Sequence, residues 1–175
     1  MAMDLITTNT SSNAASSDFT TGIDSTYKLY IFKFYDVNPA SSDPDFNFQV
    51  NASGQTGFNE VITSTVFRAY HDESNTTATL DYTAGQDQAQ GTSYQCIARN
   101  VGSGSDECTA GELFLFNPAS TTYVKHFYCR SSGNGAYEMD TFAAGYINTT
   151  SAITQISFKT GAVNFDGTIK MYGVG

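Results

Sequence analysis

The densest run of chemistry-bearing side chains is Tyr70-His71-Asp72-Glu73, an imidazole and two carboxylates in succession at the end of an alternating segment. Such groups ligate metals or move protons. Neighbours on a strand point to opposite faces, however, so His71, Asp72 and Glu73 converge only where the chain turns irregularly. The other histidine, His126, lies inside the alternating stretch 121–130, and no zinc-type spacing links the two. Hydrogen-bonded loop polars are therefore expected here, with no metal. Asp106 and Glu107 in "GSGSDE", and Asp81 and Asp87 around "DYTAGQD", carry the oxygens that calcium takes, but no D-x-D-x-D-G run accompanies them. They are expected as solvated loop residues. The chain has no G-x-S-x-G, H-E-x-x-H, P-loop or G-x-G-x-x-G, so no catalytic residue, no cofactor and no enzyme activity are expected.

Sugar binding favours large aromatic faces, and the chain has no Trp; Tyr123, Tyr128, Tyr137 and Tyr146 could substitute, although strand tyrosines more often pack with a polar tip in solvent. Cys96, Cys108 and Cys129 cannot all pair within one chain and form no C-x-x-C; isolated thiols are expected, with a Cys96–Cys108 bridge across a hairpin as the alternative. N-x-S/T sequons at Asn9, Asn51, Asn75 and Asn148 fit the Asn/Ser/Thr-rich composition without implying glycosylation.

The elements that must position these residues are strands. From Thr26 onward the apolar pattern has period two, punctuated by Gly, Asn, Asp, Ser and Pro. Strands are expected over 26–37, 46–52, 63–70, 77–82, 94–99, 111–118, 121–130, 141–147, 152–159 and 167–174. In 26–37, Tyr27, Leu29 and Ile31 alternate with Tyr30, Phe32 and Phe34, so this strand is expected to be covered on both faces. In the closing pair, Thr154, Ile156 and Phe158 are expected to face inward and Gln155, Ser157 and Lys159 outward, with Phe165-Asp166-Gly167 as the turn into the last strand. The expected core comprises Phe32, Phe34, Leu113, Leu115, Ile156, Phe158, Ile169 and Met171. The fold class is all-β, an antiparallel two-sheet jelly-roll-like sandwich over 18–175 with an extended Ser/Thr/Asn-rich arm over 1–17. That arm is expected to be dispensable for folding and to serve assembly, adding in extended form to a strand edge of a neighbouring chain with Leu5 and Ile6 as its apolar anchors.

With 175 residues, 40% hydrophobic and 14% aromatic, the chain has the length and apolar surface of one β domain. Only 14% of residues are charged, and Lys plus Arg number 8 against 17 Asp plus Glu. An acidic field of that kind repels phosphate backbones and anionic lipid, so neither nucleic acid nor membrane is an expected partner. The first residues carry neither a basic nor an apolar signal region, and synthesis in the cytosol is expected.

The segments "GIDSTY" (22–27), "FRAYHDE" (67–73), "DQAQGTSYQ" (87–95), "GELFLFNPASTTYVKHF" (111–127), "AGYINTTSAI" (144–153) and "NFDGTIKMYGV" (164–174) carry a resemblance. From about Thr20 onward the chain resembles small β-rich virion structural proteins of tailed bacteriophages, notably of marine bacteria, that often bear the label tail fibre. The resemblance implies a non-enzymatic part of the virion surface, assembled in the host cytoplasm beside the major capsid protein or tail proteins. A capsid decoration (cement) protein, homo-oligomeric and trimeric, is the leading expectation. A tail-fibre component touching a host glycan or protein is the alternative, through loops 83–93, 101–110 and 131–140 with Asp87, Asp106, Glu107 and Tyr137. A free carbohydrate-binding module is the third.

Overall fold

A computed structural model describes residues 2–41 and 43–175. Met1 of the expected arm and Ser42 of the expected turn after 37 lie outside the described residues. Twelve strands run in the order β1 Met3–Ala14, β2 Ser17–Phe19, β3 Leu29–Pro39, β4 Phe46–Ala52, β5 Ile62–His71, β6 Ala78–Tyr82, β7 Gln95–Ala98, β8 Thr109–Phe116, β9 Lys125–Gly133, β10 Glu138–Ile147, β11 Ile153–Lys159 and β12 Phe165–Val174. An eight-stranded sheet has the order β1-β12-β3-β8-β9-β10-β5-β6, and a four-stranded sheet the order β2-β11-β4-β7. Every pairing is antiparallel.

Without β5–β6 and β9–β10, eight strands remain in two four-stranded sheets, β1-β12-β3-β8 and β2-β11-β4-β7. Successive strands alternate between these sheets up to β4 and again from β7 onward, which is the double Greek key of a jelly roll. The two extra pairs, inserted after β4 and after β8, both extend the large sheet beyond β8.

Alternation drives aromatic rings from both sheets into one layer. Phe158 packs at centroid distances of 5.5 Å from Phe32, 5.9 Å from Phe46 and 6.2 Å from Phe19, and Phe48 meets Phe127 at 4.9 Å. All eight expected core residues are fully buried.

Several details differ from the sequence pattern. Residues 3–14 are not a separate arm. They form β1 on β12, in register from Met3↔Val174 to Ala14↔Phe165, and Ser17–Phe19 pairs with β11. A polar strand is stable there because ladder hydrogen bonds need no particular side chain and its β-branched Ile and Thr suit a pleat. Ile6 packs against the core, Leu5 is 55% exposed on the other face, and the Asn9 amide donates to the Asp18 carbonyl at 3.0 Å, tying β1 to β2. β3 begins at Leu29, and Tyr27 precedes it, its hydroxyl donating to Asp4 at 3.0 Å. β3 is interior to its sheet, and burial on its outer face falls off along the strand: Ile31 is buried, Lys33 half-buried and Tyr35 exposed.

The last two strands form no hairpin, since β11 and β12 belong to opposite sheets. The chain crosses at Thr160–Val163, with Gly161 at φ 63°, while Gly167, at φ 150°, lies within β12 where the register on β3 slips between Asp166 and Thr168. A bulge between Ile153 and Gln155 brings Ile153 inward in place of Thr154. Ser157 is buried too, between the Tyr94 hydroxyl at 3.0 Å and Asp18 at 2.6 Å. All three cysteines are free. Burial pushes the Cys96 and Cys129 thiols up, which disfavours their reactive thiolates.

Two outcomes test this architecture. Phe158→Ala is expected to cost about 3–5 kcal/mol in denaturant unfolding, because the vacated space lies between two sheets that cannot both collapse into it. Deleting residues 2–16 strips β12 of one of its two partners and should lower the melting temperature by about 10 °C or more or abolish cooperative unfolding; an unchanged melting curve would restore the dispensable arm.

Candidate binding face

Inward burial of Phe32, Leu113, Phe127 and Ala143 fixes the opposite parity outward. Register then lines outward residues into rows across the large sheet. One row runs Leu5, Tyr172, Ile31, Phe114, Tyr128, Ala144, Thr65; the next runs Thr8, Lys170, Lys33, Glu112, Arg130, Phe142, Phe67, Tyr82. Among the described residues no second layer covers this face, and Phe67 (41%) and Tyr128 (43%) remain exposed.

The rings on it stand side by side. Phe114 stacks on Tyr128 at 4.4 Å and 19°, and Phe67 on Phe142 at 4.7 Å and 5°, with the Arg130 guanidinium 4.9 Å over the free side of Phe142. Each of these rings thus gives one face to its stacked neighbour. Between the two stacks, over Ala144, lies a depression of about 270 Å³; one of about 430 Å³ adjoins it beside Phe116, His126 and Tyr146. Two ion pairs cross the strands of this face, Lys33 with Glu112 at 3.5 Å and Arg130 with Asp140 at 2.7 Å, while Lys170 lies 5.6 Å from the Tyr35 ring. A ribbed surface with neutralised charges suits packing against protein, whereas a pyranose ring needs an open aromatic face.

A second feature lies at one end of the sheet. The β5–β6 turn, the loop before β8 and the β9–β10 turn surround a hollow of about 550 Å³ lined by Asp72, Glu73, Asp106, Glu107, Tyr137 and Glu138. Of the expected loop residues, Asp106, Glu107 and Tyr137 meet here. Asp87 does not: loop 83–93 folds back on β5, its Gln88 N–H donating to Ser64 at 2.9 Å, and Asp87 accepts from the Tyr82 hydroxyl at 2.5 Å and Gly85 N–H at 3.1 Å. Those donors hold the Asp87 carboxyl below its ordinary range. Asp72 accepts from Ser74 Oγ at 2.6 Å, Thr76 N–H at 2.8 Å and Thr77 N–H at 2.9 Å, and from the Thr76 hydroxyl. Glu107 accepts from Gly104 N–H at 2.6 Å. These carboxylates fasten their own turns. Among the described residues no three His, Cys, Asp or Glu side chains group closely enough to hold a metal ion.

The histidines do not meet. His71 pairs with Glu138 and His126 with Tyr146, eight positions along β10, or about 27 Å. The four tyrosines weighed for sugar also divide. Tyr123 shares a hollow with His126, Tyr128 and Tyr146 lie on the outer face, and Tyr137 sits at the far end against Tyr70 at 5.2 Å. Phe67, Phe114 and Phe142 were not singled out from the sequence; outward parity opposite the core residues was the signal that marks them.

The sequence matches no protein-family model and no curated protein. Among solved structures, a human SPRY domain is similar at 6% identity and a TM-score of 0.33, over 98% of this chain and 97% of that one, a likeness too slight to carry an argument.

The turn at Asp72 offers a pH test. Its donors hold the carboxyl far below the ordinary carboxylate value of 3.8, so its contribution is present above pH 3.8 and is lost as pH falls through the lower folded value. Asp72→Ala should melt below the native chain at pH 7, the gap should persist at about pH 4, and it should close only under still more acid conditions. A gap that closed already near pH 5 would mean that these hydrogen bonds do not hold the carboxylate.

Proposed function

We propose that this chain is a non-enzymatic structural protein on the surface of a tailed-phage virion, a capsid decoration protein whose outer sheet face packs against a protein of the shell. The observation that carries this is the face itself: two stacked ring pairs, two cross-strand ion pairs beside them, and a shallow socket over Ala144. Such a surface gains by being dehydrated against a partner of matching relief. The sequence resemblance supplies the particle, and jelly rolls serve in shells as well as in lectins. The paired aromatics speak against the sugar-binding use.

A second reading, a tail-fibre component, is favoured by the acidic hollow, where three loops from different parts of the chain gather at one end with Tyr137. There a host protein or glycan would be met by loop tips while the sheet face holds the particle.

Labelling purified particles decides between them. Antibody-directed gold on the head is the expected result for decoration, and gold confined to the tail would move the assignment to the fibre. Absence of the protein from purified particles would overturn both. Tyr128→Lys places an unpaired cation at the centre of the face and should abolish retention on particles in sedimentation without shifting the melting temperature of the free protein. Full retention of that variant would show that the sheet face is not the contact.

A further inference from the structure

The two edges of the large sheet are built differently. β1 is interrupted by irregularities between Leu5 and Thr7 and between Ser11 and Ala14, has Asn13 at φ 49°, and is tied to β2 through Asn9. Bulges and positive φ values spoil an edge as a template for another strand. β6 has no such defence. Its register on β5 is unbroken from Phe67↔Tyr82 to His71↔Ala78, and it contains no Lys, Arg or Pro. It is hydrogen-bonded on one side only. Leu80 is 72% and Tyr82 54% exposed.

We infer that β6 is the seam of a two-fold dimer, in which the β6 strand of a second copy adds antiparallel and centred on Leu80, joining the two large sheets into one.

The register follows from three constraints. Side chains alternate, so only pairings that set outward residues Ala78, Leu80 and Tyr82 against outward residues keep each face intact. Among these, a centre at Asp81 would place two carboxylates directly opposite each other, which is unfavourable. A centre at Thr79 would leave Asp81 and Tyr82 without partners. The centre at Leu80 uses the whole strand: Leu80 meets Leu80, the Tyr82 ring meets the small Ala78, and the Thr79 hydroxyl meets the Asp81 carboxylate as donor to acceptor. Asp81 is prepared for this position, because Arg68 Nε already holds its Oδ1 at 3.1 Å and offsets its charge. Such complementarity under a two-fold axis, with residue i on j and j on i, is what an isologous contact requires. Outward apolar side chains also continue up to the seam through Phe67, so pairing extends the aromatic rows from one copy into the next. The inference concerns the free protein and stands apart from the virion assignment. A two-fold pair differs from the trimer expected by resemblance, and the solution mass distinguishes them.

Cysteine cross-linking of the full chain tests the register. In a Cys108→Ser background, Leu80→Cys places two thiols on residues directly opposite, at Cα separations of about 4.5–5.5 Å, within disulfide reach. Tyr82→Cys places its two thiols about 13 Å apart along the seam. Oxidised glutathione should convert Leu80→Cys to a covalent dimer on non-reducing gels and leave Tyr82→Cys monomeric. Light scattering at about 100 μM, where an interface of Kd near 10 μM holds about four-fifths of the chains in dimers, should give about 1.8 times the monomer mass for the native chain. For Leu80→Lys it should give the monomer mass with an unchanged melting temperature. A native chain that is monomeric at that concentration, equal cross-linking at both positions, or a Leu80→Lys variant that keeps the raised mass would each overturn the seam.

Discussion

The position of Phe158 governs most of what lies around it. Its ring lies among Phe19, Phe32 and Phe46, and so joins β11, β2 and β4 of the smaller sheet to β3 of the larger across the gap between them. Two sheets locked at this place must share one aromatic layer, and the smaller can roof only part of the larger. The inner face of β9, β10 and β5 has to be covered in another way. β7 packs against β9 and β10, and loop 83–93 closes over β5 through a polar network. In that network Ser64 Oγ donates to Gln95 Oε1 at 2.6 Å, and the Gln49 amide donates to the Glu60 and Ser93 carbonyls, each at 3.0 Å. Loop 83–93 is therefore a lid over the core, which removes it from the set of loops free to meet a partner.

Local alternation reveals a strand wherever side chains do the specifying, and that covers every element from β3 to β12. It fails at β1. "LITTNTSS" reads as an arm because Thr and Asn side chains carry little burial, whereas its pairing is made by backbone atoms that no sequence pattern displays. The β-branched Ile6, Thr7, Thr8 and Thr10 were the legible trace. Sheet membership is hidden for a different reason: β11 and β12 are adjacent in sequence and look like a hairpin, and only long-range packing assigns them to opposite layers.

The same limit divided the candidate site. Asp106, Glu107 and Tyr137 lie on loops joining strands that sit together at one end, so their meeting depends on topology, as does the separation of Asp87. The outer aromatics were obscured by their own abundance. With apolar side chains on both parities, β3 reads as a strand buried on both faces, and the excess that marks an uncovered face becomes visible only once the smaller sheet is known to lie on one side.

Protection of the large sheet therefore changes from one edge to the other. At the β1 edge the backbone is irregular and braced to the second sheet. Across the centre, Lys33–Glu112 and Arg130–Asp140 set paired charges among the rings, which keeps the face wettable while leaving it little net field to repel a neutral partner. At β6 the only charged side chain is Asp81, held by Arg68, and two large apolar residues stand in solvent on an unbroken ladder. A chain carrying a net charge of −9 at pH 7 repels its copies at long range, so an undefended edge is tolerable only where short-range pairing is itself selective. The placement of Asp81 supplies that selectivity, because registers that slip the seam toward Tyr82 bring like charges together, while the register centred on Leu80 keeps them apart.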